Sequence, residues 1–147
     1  MTNEADEKEK EEPARPSGRV HVTLRLLGRD LDPDKVTTSL GLRPSRAFRR
    51  GDSVTTGKGE RNRAHGAWML STEGAVHSDD LVEHCEYLRG LVLPVRERLS
   101  EYLSRDDMRV AVALWWEPSD GPVGFTLPAG LLAELASMSD EFDFYFA

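Results

Sequence analysis

From Arg19 the chain alternates strictly between apolar and polar residues. Val20, Val22, Leu24 and Leu26 share one face, and His21, Thr23 and Arg25 share the other. That period of two predicts a β-strand with one buried and one wet face. The next stretch, "DLDPDKVTTSLG", carries helix punctuation. Asp32 suits an N-cap, Pro33 the first helical position, Asp34 the positive helix end and Gly41 a left-handed stop, so a helix of about two turns is expected. Alternation returns in "AWMLST", with Trp68 and Leu70 on one face, and in "MRVAVALWW", where Met108, Val110, Val112, Leu114 and Trp116 align. Between them, Leu81, Cys85, Leu88, Val92, Val95, Leu99 and Tyr102 recur at steps of three and four. They form one apolar helical stripe, with Ser78 as the expected N-cap. Gly90 and Pro94 interrupt the stripe, which predicts a kink or two consecutive helices near 90–94.

The remainder follows the same logic. "SVTTGKGERNRAHG" has glycines, charges and little periodicity and predicts a loop, enclosing a short strand at Asp52–Thr56. "FTLPAGLLAELASM" predicts a short strand passing into a helix begun by Pro128, and "EFDFYF" a last strand with Phe142, Phe144 and Phe146 aligned. Because each main strand has one wetter face, the expected fold is α+β. It has a mostly antiparallel or mixed sheet of about five strands with two to three helices packed on one face. Residues 1–18, rich in Glu and Lys and closed by Pro13 and Pro16, are too polar to offset the entropy of ordering and are expected to be a disordered charged tail. Residues 19–147 are then a single domain.

Composition narrows the function classes. A chain of 147 residues with 39% hydrophobic side chains can bury one core. It contains no apolar run of membrane-spanning length, and the N-terminus lacks the apolar stretch of a signal peptide, so a soluble, cytosolic protein without a membrane partner is expected. A formal net charge of −7 disfavours a nucleic-acid partner, since that binding draws on phosphate neutralisation. The charge is uneven, however. Residues 43–63 hold seven basic side chains against Asp52 and Glu60, whereas residues 64–147 hold five against fifteen acidic ones.

The run from the first strand through "LDPDKVTTSLGLRPSRAFRRGD", then "AWMLST", "LVEHCEYLRGLVLPVRERL" and "LPAGLLAELASMSDEFDFYF" resembles a bacterial domain-of-unknown-function family, number 4279. The marks are the Leu-Gly-Leu-x-Pro turn at Leu40–Pro44, the Arg-Gly-Asp at Arg50–Asp52 and the tryptophan strand at Trp68. The resemblance spans about residues 19–147. It implies an uncharacterised α+β single domain of bacteria and supplies no catalytic residues to transfer.

Four arginines in eight positions, Arg43, Arg46, Arg49 and Arg50, admit two readings. Planar guanidinium forks suit carboxylates and phosphates, so with Arg63 they would cradle an anion. Alternatively they lie across the acidic 64–147 half and clamp their own loop by ion pairs, which is the expectation here. Gly57-Lys58-Gly59 lacks the spacing and the following helix of a phosphate loop. Cys85, the only cysteine, belongs to the apolar stripe. It is expected to act neither as nucleophile nor, with His77 and His84, as a metal ligand, and no cofactor is implied. The adjacent acids Asp79 and Asp80, and Asp106 and Asp107, fit helix starts and loops rather than proton-transfer chemistry.

Trp115 and Trp116 must face opposite ways on a strand, which leaves Trp115 on the wetter face, beside Arg109, as a candidate anchor for a partner. The primary expectation is therefore a non-enzymatic protein-binding module using Trp115 and the basic loop. The alternative is a binder of a small anion, nucleotide or phosphate ligand, catalytic or not, using Arg46, Arg49, Arg50 and Arg63 of loop 43–63.

Overall fold

A computed structural model describes residues 19–119 and 123–146. The tail at 1–18 lies outside the described residues. Strand β1 (Arg19–Gly28) runs down the centre of a five-stranded sheet, as its alternation predicts. The turn after it leads into α1 (Pro33–Leu40). Asp32 Oδ1 accepts from Asp34 N at the helix start, and Gly41 closes the end with φ 69°, its N–H donating to Thr37 O. A carbonyl left over at a helix end is satisfied this way at little conformational cost because glycine has no Cβ.

Then come β2 (Arg46–Phe48), β3 (Ser53–Thr56), β4 (Gly59–Asn62) and β5 (Gly66–Ser71). Sequence reading gave β3 and β5 but left β2 and β4 inside loops. The difference has a physical cause. β2 is three residues long, and every residue of β4 is exposed, so neither presents an apolar period to detect. β3 and β4 pair only with each other, as an antiparallel hairpin turning at Gly57 and Lys58.

The long stripe forms α2 (Leu81–Val92), a 3₁₀ turn at Leu93–Val95 and the short α3 (Arg96–Leu99), so Pro94 breaks the helix where expected. The cap is Asp80, whose carboxylate accepts from Val82 N; Ser78 Oγ instead accepts from Asp80 N one step upstream. β6 (Met108–Glu117), α4 (Ala129–Ala136) and β7 (Glu141–Phe146) complete the chain. Residues 125–127 form no strand. β7 already occupies the edge beside β6, and Phe125 packs edge-on against Trp116 at 5.2 Å instead.

The sheet order is β2-β5-β1-β6-β7, with every pairing antiparallel except β6 with β7. The fold is thus α+β with a mixed sheet. Val22, Leu24 and Leu26 of β1, Trp68 of β5, and Val110, Val112 and Leu114 of β6 form one face. Val36, Leu40, Leu81, Leu88, Val92, Leu131 and Leu135 of the helices close over it in one apolar cluster. The helices therefore cover one side of the sheet and leave the other, carrying the intervening residues of each strand, without a helical layer.

Candidate functional site

The helix-free face is organised by register into rows that cross the strands. His21 of β1, Trp115 of β6 and Tyr145 of β7 stand side by side. The second row is Ser71 of β5, Thr23, Ala113 and Asp143. The third is Arg46 of β2, Met69 of β5, Arg25, Ala111 and Glu141. Rows on one face lie two residues, or about 6.7 Å, apart. The middle row is small, so it forms the floor of a trough between a wall of rings and a wall containing two arginines. This concavity has a volume of about 550 Å³.

The ring wall is tightly ordered. The His21 and Trp115 rings are nearly parallel (4°) with centroids 6.1 Å apart, and Trp115 and Tyr145 stack at 5.6 Å. Arg19 lies over Trp115 at 5.1 Å and grips Glu73 through two hydrogen bonds, Nε to Oε2 at 2.9 Å and Nη2 to Oε1 at 3.3 Å. Glu73 Oε1 also comes within 3.9 Å of His21 Nε2. On the opposite wall Arg25 donates from Nη2 to Asp143 at 2.7 Å and to the Tyr145 hydroxyl at 3.3 Å, while its buried Nε donates to no protein group. At the β2 end Ser45 N–H donates to Met69 O and Ser45 Oγ accepts from Ser71 N, which carries the β2–β5 pairing up to the trough.

The sequence-predicted residues separate into two groups. Arg49 and Arg50 stand away from the trough. Arg49 bonds Asp32 at 2.9 Å and Asp34 at 2.6 Å, and Arg50 bonds Asp30 at 2.8 Å. They do act as a clamp, but on the β1–α1 turn at 30–34 and not across the acidic 64–147 half. The turn is close in space because Gly66, beside it, has no side chain: a Cβ there would sit 2.6 Å from Leu31 O. Arg46 and Arg63, by contrast, meet on the helix-free face, 5.7 and 3.8 Å from the centroid of the Phe48 ring. Burial, and then the neighbouring Arg63 charge, depress the Arg46 pKa; burial also lowers that of Arg63, against the pull of Asp52. Both guanidinium groups thus lie against one ring at the β2 end of this face.

Trp115 lies on the helix-free face, but its cationic neighbour is Arg19. Arg109 sits three rows away and pairs with Glu141 at 3.4 Å. Sequence reasoning missed Arg19, His21, Thr23, Arg25, Glu73 and Tyr145 as site residues. Apart from Glu73, which follows β5, their signal was the polar half of the β1 and β7 alternation, and it was silent about which strands would stand next to one another.

Elsewhere the chemistry is structural. Cys85 is buried, and desolvation, with Asp80 and Glu86 adding, pushes its thiol up to about 12, which removes nucleophilic thiolate at neutral pH. His84 is likewise buried, held by Thr72 and Ser78. Among the described residues, no group of three His, Cys, Asp or Glu side chains could hold a metal ion, and no helix is long and apolar enough to cross a membrane. A larger opening of about 1060 Å³ lies at the other end of the sheet. There Asp140 accepts from Ser104 N and Val110 N through its two oxygens, and Arg105 binds Asp107.

The sequence profile of a family described as Domain of unknown function (DUF4279) matches residues 18–146. No curated protein and no solved structure matches the chain.

Proposed function

This chain belongs to the DUF4279 family, and we propose that it is a binding module of the bacterial cytoplasm whose recognition surface is the helix-free face of the sheet, where it captures a small anionic ligand. The observation that carries this reading is the trough itself. A concavity of about 550 Å³ falls within the size range of small-ligand pockets and combines a few convergent polar groups with ring and aliphatic walls. Arg46 and Arg63, gathered around the Phe48 ring, add guanidinium donors of the kind that suit carboxylates and phosphates. Amide NMR titration with small carboxylates and phosphates tests this. Shifts should gather on Thr23, Met69, Ala113 and Trp115 and fade as ionic strength rises. Shifts confined to Arg49 and Arg50, or none at all, overturn it.

A second reading, a non-enzymatic module that binds another protein, draws on β7. This strand is an edge of the sheet: Phe144 and Phe146, on its helix-side face, are 47% and 64% exposed, and Tyr145, on the opposite face next to Trp115, is 38% exposed. Recovery of the same partner set by wild type and by Trp115→Ala counts against it.

A further inference from the structure

We infer that β7 is a self-pairing edge: a second copy of this chain adds its own β7 antiparallel to the first about a twofold axis at Phe144, which joins the two sheets into one. The inference names an occupant for the edge in the second reading above and does not depend on anion capture. The backbone comes first. Asp140 N–H donates to Val110 O on β6, and a strand has a period of two, so the backbone groups of Phe142, Phe144 and Phe146 continue toward β6. Those of Glu141, Asp143 and Tyr145 face out of the sheet, where, among the described residues, no strand lies beside them.

Side chains decide the partner and the register. Phe142, Phe144 and Phe146 stack along the helix-side face of the strand with centroids 6.1 and 6.4 Å apart, and Phe146 also meets Phe125 at 6.3 Å. The row is ordered before any partner arrives, yet Phe144 and Phe146 stay open to solvent. The two carboxylates of the strand are already answered within the chain, Glu141 by Arg109 at 3.4 Å and Asp143 by Arg25 at 2.7 Å. The edge therefore offers an incoming strand apolar rings and neutralised charge, which a second copy matches. Residues 1–18 do not match it, since Met1, Ala5, Pro13, Ala14 and Pro16 are their only apolar side chains. Centred on Phe144, antiparallel pairing sets Phe144 against Phe144, Phe142 against Phe146, and Asp143 against Tyr145. The outward backbone groups of Asp143 and Tyr145 then exchange N–H···O bonds, and Phe144 takes the non-hydrogen-bonded position, where side chains come closest. A centre at Asp143 would set two carboxylates opposite each other, and a centre at Tyr145 would overlap only residues 144–146 of the strand. Ring packing and charge thus select one axis, and such an isologous contact closes as a dimer.

Cysteine cross-linking reads the axis directly. Across a non-hydrogen-bonded antiparallel pair the Cα atoms stand about 4.5 Å apart, within disulfide range, whereas the two copies of position 146 would lie roughly 13 Å apart along the strands. Phe146 is the more exposed of the two residues, so chance collision favours Phe146→Cys and the dimer favours Phe144→Cys. Under mild oxidation Phe144→Cys should cross-link at least about tenfold faster than Phe146→Cys. Cys85 is buried and does not compete. For the unaltered chain, light scattering across a dilution series should show a monomer–dimer equilibrium. Phe144→Lys, which sets two ammonium groups face to face at the axis, should raise the dissociation constant at least about tenfold. A wild type that stays monomeric up to its solubility limit overturns the inference and leaves capture of other proteins by this edge to the Trp115→Ala comparison. A dimer that folded Phe144→Lys leaves unchanged is built on another surface and overturns it as well. Phe146→Cys matching or outpacing Phe144→Cys overturns the axis at Phe144; this ratio decides by itself if Phe144→Lys does not fold.

Discussion

At the scale of single residues, the buried polar groups are few and wired in series. His84 Nε2–H donates to Ser78 O at 2.8 Å, which leaves Nδ1 to accept from the Thr72 hydroxyl at 2.6 Å. The Thr72 oxygen in turn accepts from Val22 N at 3.0 Å. Three elements thus share one hydroxyl. Thr72→Val keeps the shape but strands two buried polar groups, so chemical denaturation should show a loss of about 2 kcal/mol or more. Cys85 supplies a second expectation. Burial pushes its thiol up to about 12 from the ordinary 9.0, so folding favours the protonated form. The resulting stability is complete below about pH 9 and is lost as pH rises toward 12. A disulfide reagent at about pH 8 should accordingly react with Cys85 at the rate of unfolding, whereas urea exposes it at once; fast native labelling would contradict the burial. Both sites were partly legible in the sequence. Cys85 declared itself by its place in the apolar stripe. Nothing local marks Thr72 as a partner of His84, because the two stand twelve positions apart and a turn decides that contact.

At the scale of elements, two glycines separate space from propensity. Gly90 lies within α2, and a Cβ there meets nothing within 4 Å. Gly90→Ala should stabilise by about 0.5–1 kcal/mol through helix propensity alone. Gly66 opens β5 where a Cβ would meet a backbone oxygen at 2.6 Å, so Gly66→Ala should destabilise and, by pushing the 30–34 turn away, loosen the Arg49 and Arg50 pairs. Paired melting curves read both signs. A third element-level link joins the start of α2 to the end of β6. Asp79 accepts from both Ser119 Oγ and Ser119 N, and these bonds, against a smaller opposing effect of burial, lower its pKa. A folded pKa below the unfolded one means the link contributes above the ordinary carboxyl value and is lost as pH falls through it. In Ser119→Ala the Asp79 titration, followed by NMR, should move up toward that ordinary value. Helices and long strands were legible because their apolar periods are long. β2 and β4 were not, since one is too short and the other too exposed to leave a period.

At the scale of the whole molecule, the basic segment proves to be two devices. Arg49 and Arg50 fasten one turn, while Arg46 and Arg63 charge one face. Composition alone reads them as one island, because the division depends on β2 pairing with β5 and on which face each side chain then takes. The same pairing order leaves β7 as an edge carrying Phe144 and Phe146. Open strand edges with apolar side chains promote association, so sedimentation velocity should show less concentration-dependent self-association for Phe146→Lys than for wild type. The interior strand β6, between β1 and β7, has a different consequence. Its even positions from Val110 to Trp116 build the interior, and its odd positions from Ala111 to Trp115 belong to the helix-free face. Stability and specificity are thus written in alternate letters of one strand. A new preference can be composed at 111, 113 and 115, with matching changes at 21, 23 and 25, while every second letter stays as it is; a slip of one residue in pairing would instead scramble both texts at once.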